Sequence, residues 1–75
     1  MINFVCCTVV VDNCDYTVEE LTLRLSPFVP VAMMKVMDGY YPKQRIIKVP
    51  SAKHVEEVLY GLHQINDEDR ERAKL

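Results

Sequence analysis

Three cysteines (Cys6, Cys7 and Cys14), two histidines (His54 and His63) and the aspartates Asp12 and Asp15 are the residues whose types could support catalysis or hold a metal. Three thiols cannot all pair within one chain, and neighbours such as Cys6 and Cys7 point to opposite faces of a strand. They read as free, buried thiols suited to a reducing compartment, where cysteine behaves as a small hydrophobe. Cys14 stands near the start of a predicted helix, whose dipole would favour a thiolate, but no histidine is placed by sequence to activate it. The histidines are nine residues apart, about 900° around a helix, which puts them on opposite faces, and structural zinc asks for paired ligands at short spacing. Asp12 and Asp15 bracket Asn13 and Cys14 in the pattern of an Asx turn leading into a helix cap. The expectation is therefore a protein that is not an enzyme and has no metal site and no cofactor.

Binding chemistry is better represented. Tyr40, Tyr41, Lys43 and Arg45, with Lys48 nearby, form an aromatic and basic cluster. Tyrosine and arginine are the residue types that anchor protein interfaces, while the same mixture also suits a single strand of nucleic acid. The formal charge of −2, from 9 Lys and Arg against 11 Asp and Glu, supplies no basic field to attract a phosphate backbone. A protein partner is thus expected at Tyr40, Tyr41, Lys43 and Arg45, with nucleic acid disfavoured.

The elements that must carry these residues follow from periodicity. Seventy-five residues make a single domain, 1–75, near the lower size limit for a core without staples. Ile2 to Val11 is rich in β-branched residues and apolar on both faces, with Phe4, Cys6, Thr8 and Val10 on one and Cys7, Val9 and Val11 on the other. Thr17 with Glu20 is a capping-box signature, opening a helix with Val18, Leu21, Leu25 and Phe28 along one stripe. Pro27 ends or loosens it. A strand is expected over Val31 to Met37, then a turn or longer loop at Asp38-Gly39, then a strand over Arg45 to Val49. Ser51 is a good N-cap for an amphipathic helix marked by Val55, Val58, Leu59, Leu62 and Ile65. Gly61 within it costs about 1 kcal/mol relative to Ala, for which close packing against a neighbour is a physical reason. Residues 66–75 are expected to form a short charged helical extension or a frayed terminus. No apolar run approaches the roughly 20 residues of a membrane span, and the N-terminus has no basic n-region followed by a small-residue cleavage site, so a secretory leader is not expected. The expected setting is the cytoplasm, of the host if the chain is viral.

The order strand, helix, strand, strand, helix resembles an α+β ferredoxin-like or RNA-recognition-motif domain that lacks its last strand. The resemblance is one of pattern across most of the chain. It implies a three-stranded antiparallel sheet in the order first, third, second, with two helices on one face and the first strand at an edge. RNA-recognition domains stack bases on aromatic residues of the central strands, whereas here only Phe4 offers a ring and the third strand carries Ile46 and Ile47. Small ferredoxin-like nucleases hold a metal near the position of Asp12 and Asp15, for which the turn is the simpler reading.

An edge strand exposes unpaired backbone groups that proteins normally blunt with charge, Pro or a bulge, and Ile2 to Val11 contains no charged residue, Pro or Gly. The edge through Phe4, Cys6, Thr8 and Val10 is therefore expected to pair with its twin in a homodimer, accept a strand from another protein, or lie under the C-terminal tail. The expected function is a small protein-binding module, an inhibitor or adaptor that occupies a surface of a larger protein. In size and style it resembles phage accessory proteins of anti-defence type. The alternatives are an RNA- or single-strand-binding domain and a small structural subunit of an assembly.

Overall fold

A computed structural model describes residues 7–73. In chain order they form β1 (Cys7–Val11), α1 (Val18–Leu25), β2 (Lys35–Asp38), β3 (Arg45–Val49) and α2 (Ala52–Ala73). The sheet has the order β1-β3-β2, with both pairings antiparallel. This is the α+β arrangement of a ferredoxin-like domain without its last strand. Phe4 and Cys6 of the anticipated edge lie outside the described residues.

Register decides which side chains meet the helices. Val9 stands opposite Ile47, which stands opposite Val36, and Cys7 stands opposite Val49. These face inward onto Leu21, Leu25 and Val29 from the first half and Val58 and Ile65 of α2, making one core. The alternate residues, Thr8, Val10, Ile46, Lys48, Lys35 and Met37, face the opposite side of the sheet. The two helices share one face, α1 against β2 and α2 against β1.

Local chemistry accounts for the element ends. The Thr17 hydroxyl accepts from the Glu20 N–H at 3.1 Å and the Glu20 carboxylate accepts from the Thr17 N–H at 3.3 Å, a complete capping box for α1. The left-handed turn residue before it is Asn13, at φ 56°, a conformation asparagine tolerates better than most side chains. α1 ends at Leu25, with Pro27 in the turn that follows.

One segment differs from the sequence expectation, and another takes one of its two expected forms. The strand expected from Val31 begins at Lys35, because Pro30 leads into a 3-10 turn over Val31–Met33, in which the Met33 N–H donates to Pro30 O at 2.8 Å. α2 runs unbroken through the charged extension to Ala73, since that extension is tied to the body of the domain. Arg24 of α1 meets Glu68 at 3.1 Å, and the Tyr16 hydroxyl donates to Asp69.

Gly61 has the packing reason anticipated for it. A Cβ built there would stand 2.9 Å from Phe28 Cδ2 and 3.0 Å from Leu25 Cδ2, so the absent side chain lets α2 close onto the end of α1.

Candidate interaction surface

The β2–β3 loop is built on a buried glutamine. The Gln44 side chain accepts from the Tyr40 N–H at 2.8 Å and donates to Asp12 Oδ1 at 3.1 Å, while its backbone carbonyl accepts from the Gly39 N–H at 2.8 Å. Gly39 is required beneath it, because a Cβ at that position would fall 2.6 Å from Gln44 Cγ. Asp12, Gln44 and Gly39 continue the strand register by one step, so the loop closes one end of the open sheet face.

The same loop is bolted to the β1–α1 turn. The Cys14 N–H donates to Lys43 O at 2.8 Å, the Lys43 ammonium meets Asp15 at 2.9 Å, and the Tyr41 hydroxyl donates to Asp12. Hydrogen bonds from Tyr41 and then Gln44 hold the Asp12 carboxyl below its ordinary value, while the bond to Asp12 followed by burial raises Tyr41.

Of the four residues proposed from sequence as partner contacts, three lie in this loop and Arg45 opens β3 at its end, and the structure gives them different work. Tyr40 is displayed, with 93% of its surface exposed. Tyr41 is exposed along its ring and tethered at its hydroxyl. Lys43 is exposed and ion-paired. Arg45 is spent on the fold: its side chain is 11% exposed, and its guanidinium donates to Tyr16 O at 3.1 Å, Pro42 O at 2.7 Å and Gln44 O at 3.0 Å. The signal for this was present, since Arg45 alternates with the inward residues Ile47 and Val49.

Beside the loop lies the open face of the sheet. Val10, Ile46 and Met37 form an apolar row across all three strands, with Val10 at 54% exposure. Next to it, Thr8, Lys48 and Lys35 form an exposed row with two positive charges, neither of them in an ion pair among the described residues. Sequence reasoning missed this basic row because it appears only once the two pairings are in register.

A cleft of about 730 Å³ opens where the end of β1 and the β1–α1 turn meet the C-terminal half of α2. Its lining includes Val11, Cys14, Leu62, His63 and Asn66. Cys14 is buried, with its thiol 3.6 Å from Tyr16 O, and His63 is exposed, 3.4 Å from Asp67. His54 sits elsewhere on α2, its Nδ1 2.7 Å from the Ser51 hydroxyl. Among the described residues, no group of three or more His, Cys, Asp or Glu side chains is arranged to hold a metal ion. No helix among them is long and apolar enough to cross a membrane.

The chain matches no protein-family model, no curated protein and no solved structure.

Proposed function

We propose that this chain is a small non-enzymatic binding module that acts by occupying a surface of a larger protein, as an inhibitor or adaptor of the compact accessory kind. The observation that carries this reading is the loop of Gly39 to Arg45. Several hydrogen bonds and an ion pair fix it to the β1–α1 turn, yet its foremost side chain, Tyr40, contributes almost nothing to the fold. A rigid platform presenting one large amphipathic ring has little entropy to lose on association, which is how interface anchors gain affinity. The adjoining Val10, Ile46 and Met37 row supplies apolar area for the same contact.

Affinity capture with purified wild-type protein, compared with Tyr40→Ala, tests the reading. A protein retained by the wild type and lost by the variant, with the variant's melting temperature unchanged, is the expected result. Retention that does not depend on Tyr40 overturns it.

A second reading is favoured by one observation, the exposed pair Lys35 and Lys48 on the open face: a single nucleic-acid strand laid across the sheet with a base on Tyr40. The apolar row beside those lysines carries no ring on which further bases would stack. Binding of oligonucleotides that collapses between about 50 and 200 mM salt would establish it in place of the protein reading.

A further inference from the structure

Both helices pack on one face of the sheet, the side of Val9, Ile47 and Val36, while on the other Val10, Thr8, Lys48 and Lys35 stay exposed. The middle of a sheet face offers side chains and no unpaired backbone, so what buries it is a further layer, a helix or a second sheet.

The basic row carries a cost that bears on which layer fits. Lys35 and Lys48 are register partners, directly opposite one another on β2 and β3, a placement in which like charges repel. Neither forms an ion pair among the described residues. Eight of the 11 acidic residues, two on α1 and six on α2, lie on the helical side of the sheet. Asp12, at the loop end of the open face, already accepts from the Tyr41 hydroxyl and the Gln44 amide. The face is therefore apolar in its middle and positive at the end away from the loop, where an acidic partner would turn repulsion into attraction. A second copy of the chain would bring its own lysine pair instead. It would also gain little, since two rows across three strands cover roughly 200 Å², against the roughly 800 Å² per partner of a stable interface.

Spacing favours a helix. Rows two residues apart along a strand are separated by about 6.8 Å, and in a helix laid along the strands the residues i and i+3 are followed about 6.0 Å further on by i+4 and i+7 on the same side. The outer strands of the sheet are about 10 Å apart, close to the diameter of one helix.

We infer, resting on the protein-binding reading above, that the open face takes an amphipathic helix of the partner protein. Acidic side chains at i and i+3 lie over Lys35 and Lys48, and apolar ones at i+4 and i+7 lie over Val10, Ile46 and Met37. The next turn of that helix reaches the loop that presents Tyr40, so the helix adds to the Tyr40 contact and does not replace it.

The test is methyl NMR titration of the full chain with a capped, alanine-based helical peptide of about 20 residues carrying Glu at i and i+3 and Leu at i+4 and i+7, against a matched peptide with Lys in place of Glu. Expected are shifts at the methyl groups of Val10, Ile46 and Met37, with those of the inward Val9, Ile47 and Val58 unmoved, and the Glu peptide bound about tenfold more tightly. Lys48→Gln should lessen that preference, and Lys35→Glu with Lys48→Glu should reverse it. These substitutions fall on exposed side chains, and unmoved inward methyl groups show that the fold is kept. Several results would overturn the inference: no shift at about millimolar peptide, equal binding of both peptides, shifts in the peptide-free protein that grow with its own concentration, contacts from residues 1–6 to the same methyl groups, or displacement of the peptide by oligonucleotides. Failure of the peptide with Tyr40-dependent capture intact would leave the broader function standing, and the reverse pattern would remove it while sparing the helix site.

Discussion

The Tyr16 hydroxyl reaches both carboxylate oxygens of Asp69, at 2.9 and 2.8 Å, across 53 residues of sequence. The Arg24 guanidinium lies over the same ring, 5.0 Å from its centre, and 3.1 Å from Glu68. This cluster fastens the far end of α2 to the β1–α1 turn and so keeps the cleft between them in shape. Tyr16→Phe is expected to speed amide exchange in residues 66–73 by about fivefold, corresponding to about 1 kcal/mol for one hydrogen bond, while leaving exchange in β3 unchanged. Unaltered exchange in 66–73 would mean that the extension is helical on its own account.

The same pair sets an alkaline limit. Burial first and the bond to Asp69 second raise Tyr16 above the ordinary value of 10.0, so the fold favours the neutral phenol. Its contribution is complete below that value and is lost as pH climbs through the raised one. Helical signal from α2 should therefore fall above about pH 10 in the wild type and less steeply in Tyr16→Phe, followed by far-ultraviolet circular dichroism.

At the acidic end the group to watch is Asp12, whose depressed pKa reflects bonds from Tyr41 and Gln44. Stability from a depressed carboxyl is present above its ordinary value and lost as pH falls through the lower one. Amide resonances of residues 39–44 should broaden or shift below about pH 4 before those of β3 respond, and Asp12→Asn should produce that change at neutral pH.

Tyr40 and Arg45, five residues apart, should behave in opposite ways. Tyr40→Ala is expected to change stability by no more than about 0.5 kcal/mol, as for an exposed side chain. Arg45→Ala removes donors to three backbone carbonyls and should cost about 1–3 kcal/mol by denaturant titration. Comparable losses in the two variants would contradict the division of labour within the loop.

Gly61→Ala opposes two effects. Helix propensity favours alanine by about 1 kcal/mol, but the new methyl would meet Phe28 and the buried Leu25 at about 3 Å. Overpacking of this kind costs about 1–3 kcal/mol, so the variant is expected to melt at a lower temperature. A higher melting temperature would show that the end of α1 yields readily.

Much of the fold could be read from the chain because its signals are local. Thr17 and Glu20 announce α1 three residues apart, and Ser51 with the Val55 to Ile65 stripe announces α2. The order of elements then left few topologies. Pro30 was harder, since the 3-10 turn that delays β2 depends on where the chain must go next, not on the alternation of Val31 to Met37. The binding surface was legible only in part. Tyr40 stood out by type, but separating it from Arg45 required knowing that β3 turns Arg45 inward. Lys35 and Lys48 are 13 residues apart, and only strand register brings them into one row.

The expectation of a strand-accepting edge rests on β1, paired only with β3 among the described residues, keeping an open second flank, and amide exchange along Cys7–Val11 in the isolated protein addresses it most directly. In an antiparallel edge strand successive N–H groups point alternately to the neighbour and away from it. The account predicts protection at every second residue of β1, with the intervening amides exchanging fast until a partner strand is added. Uniform protection along β1 at low micromolar protein would show that the flank is already covered, and would contradict it.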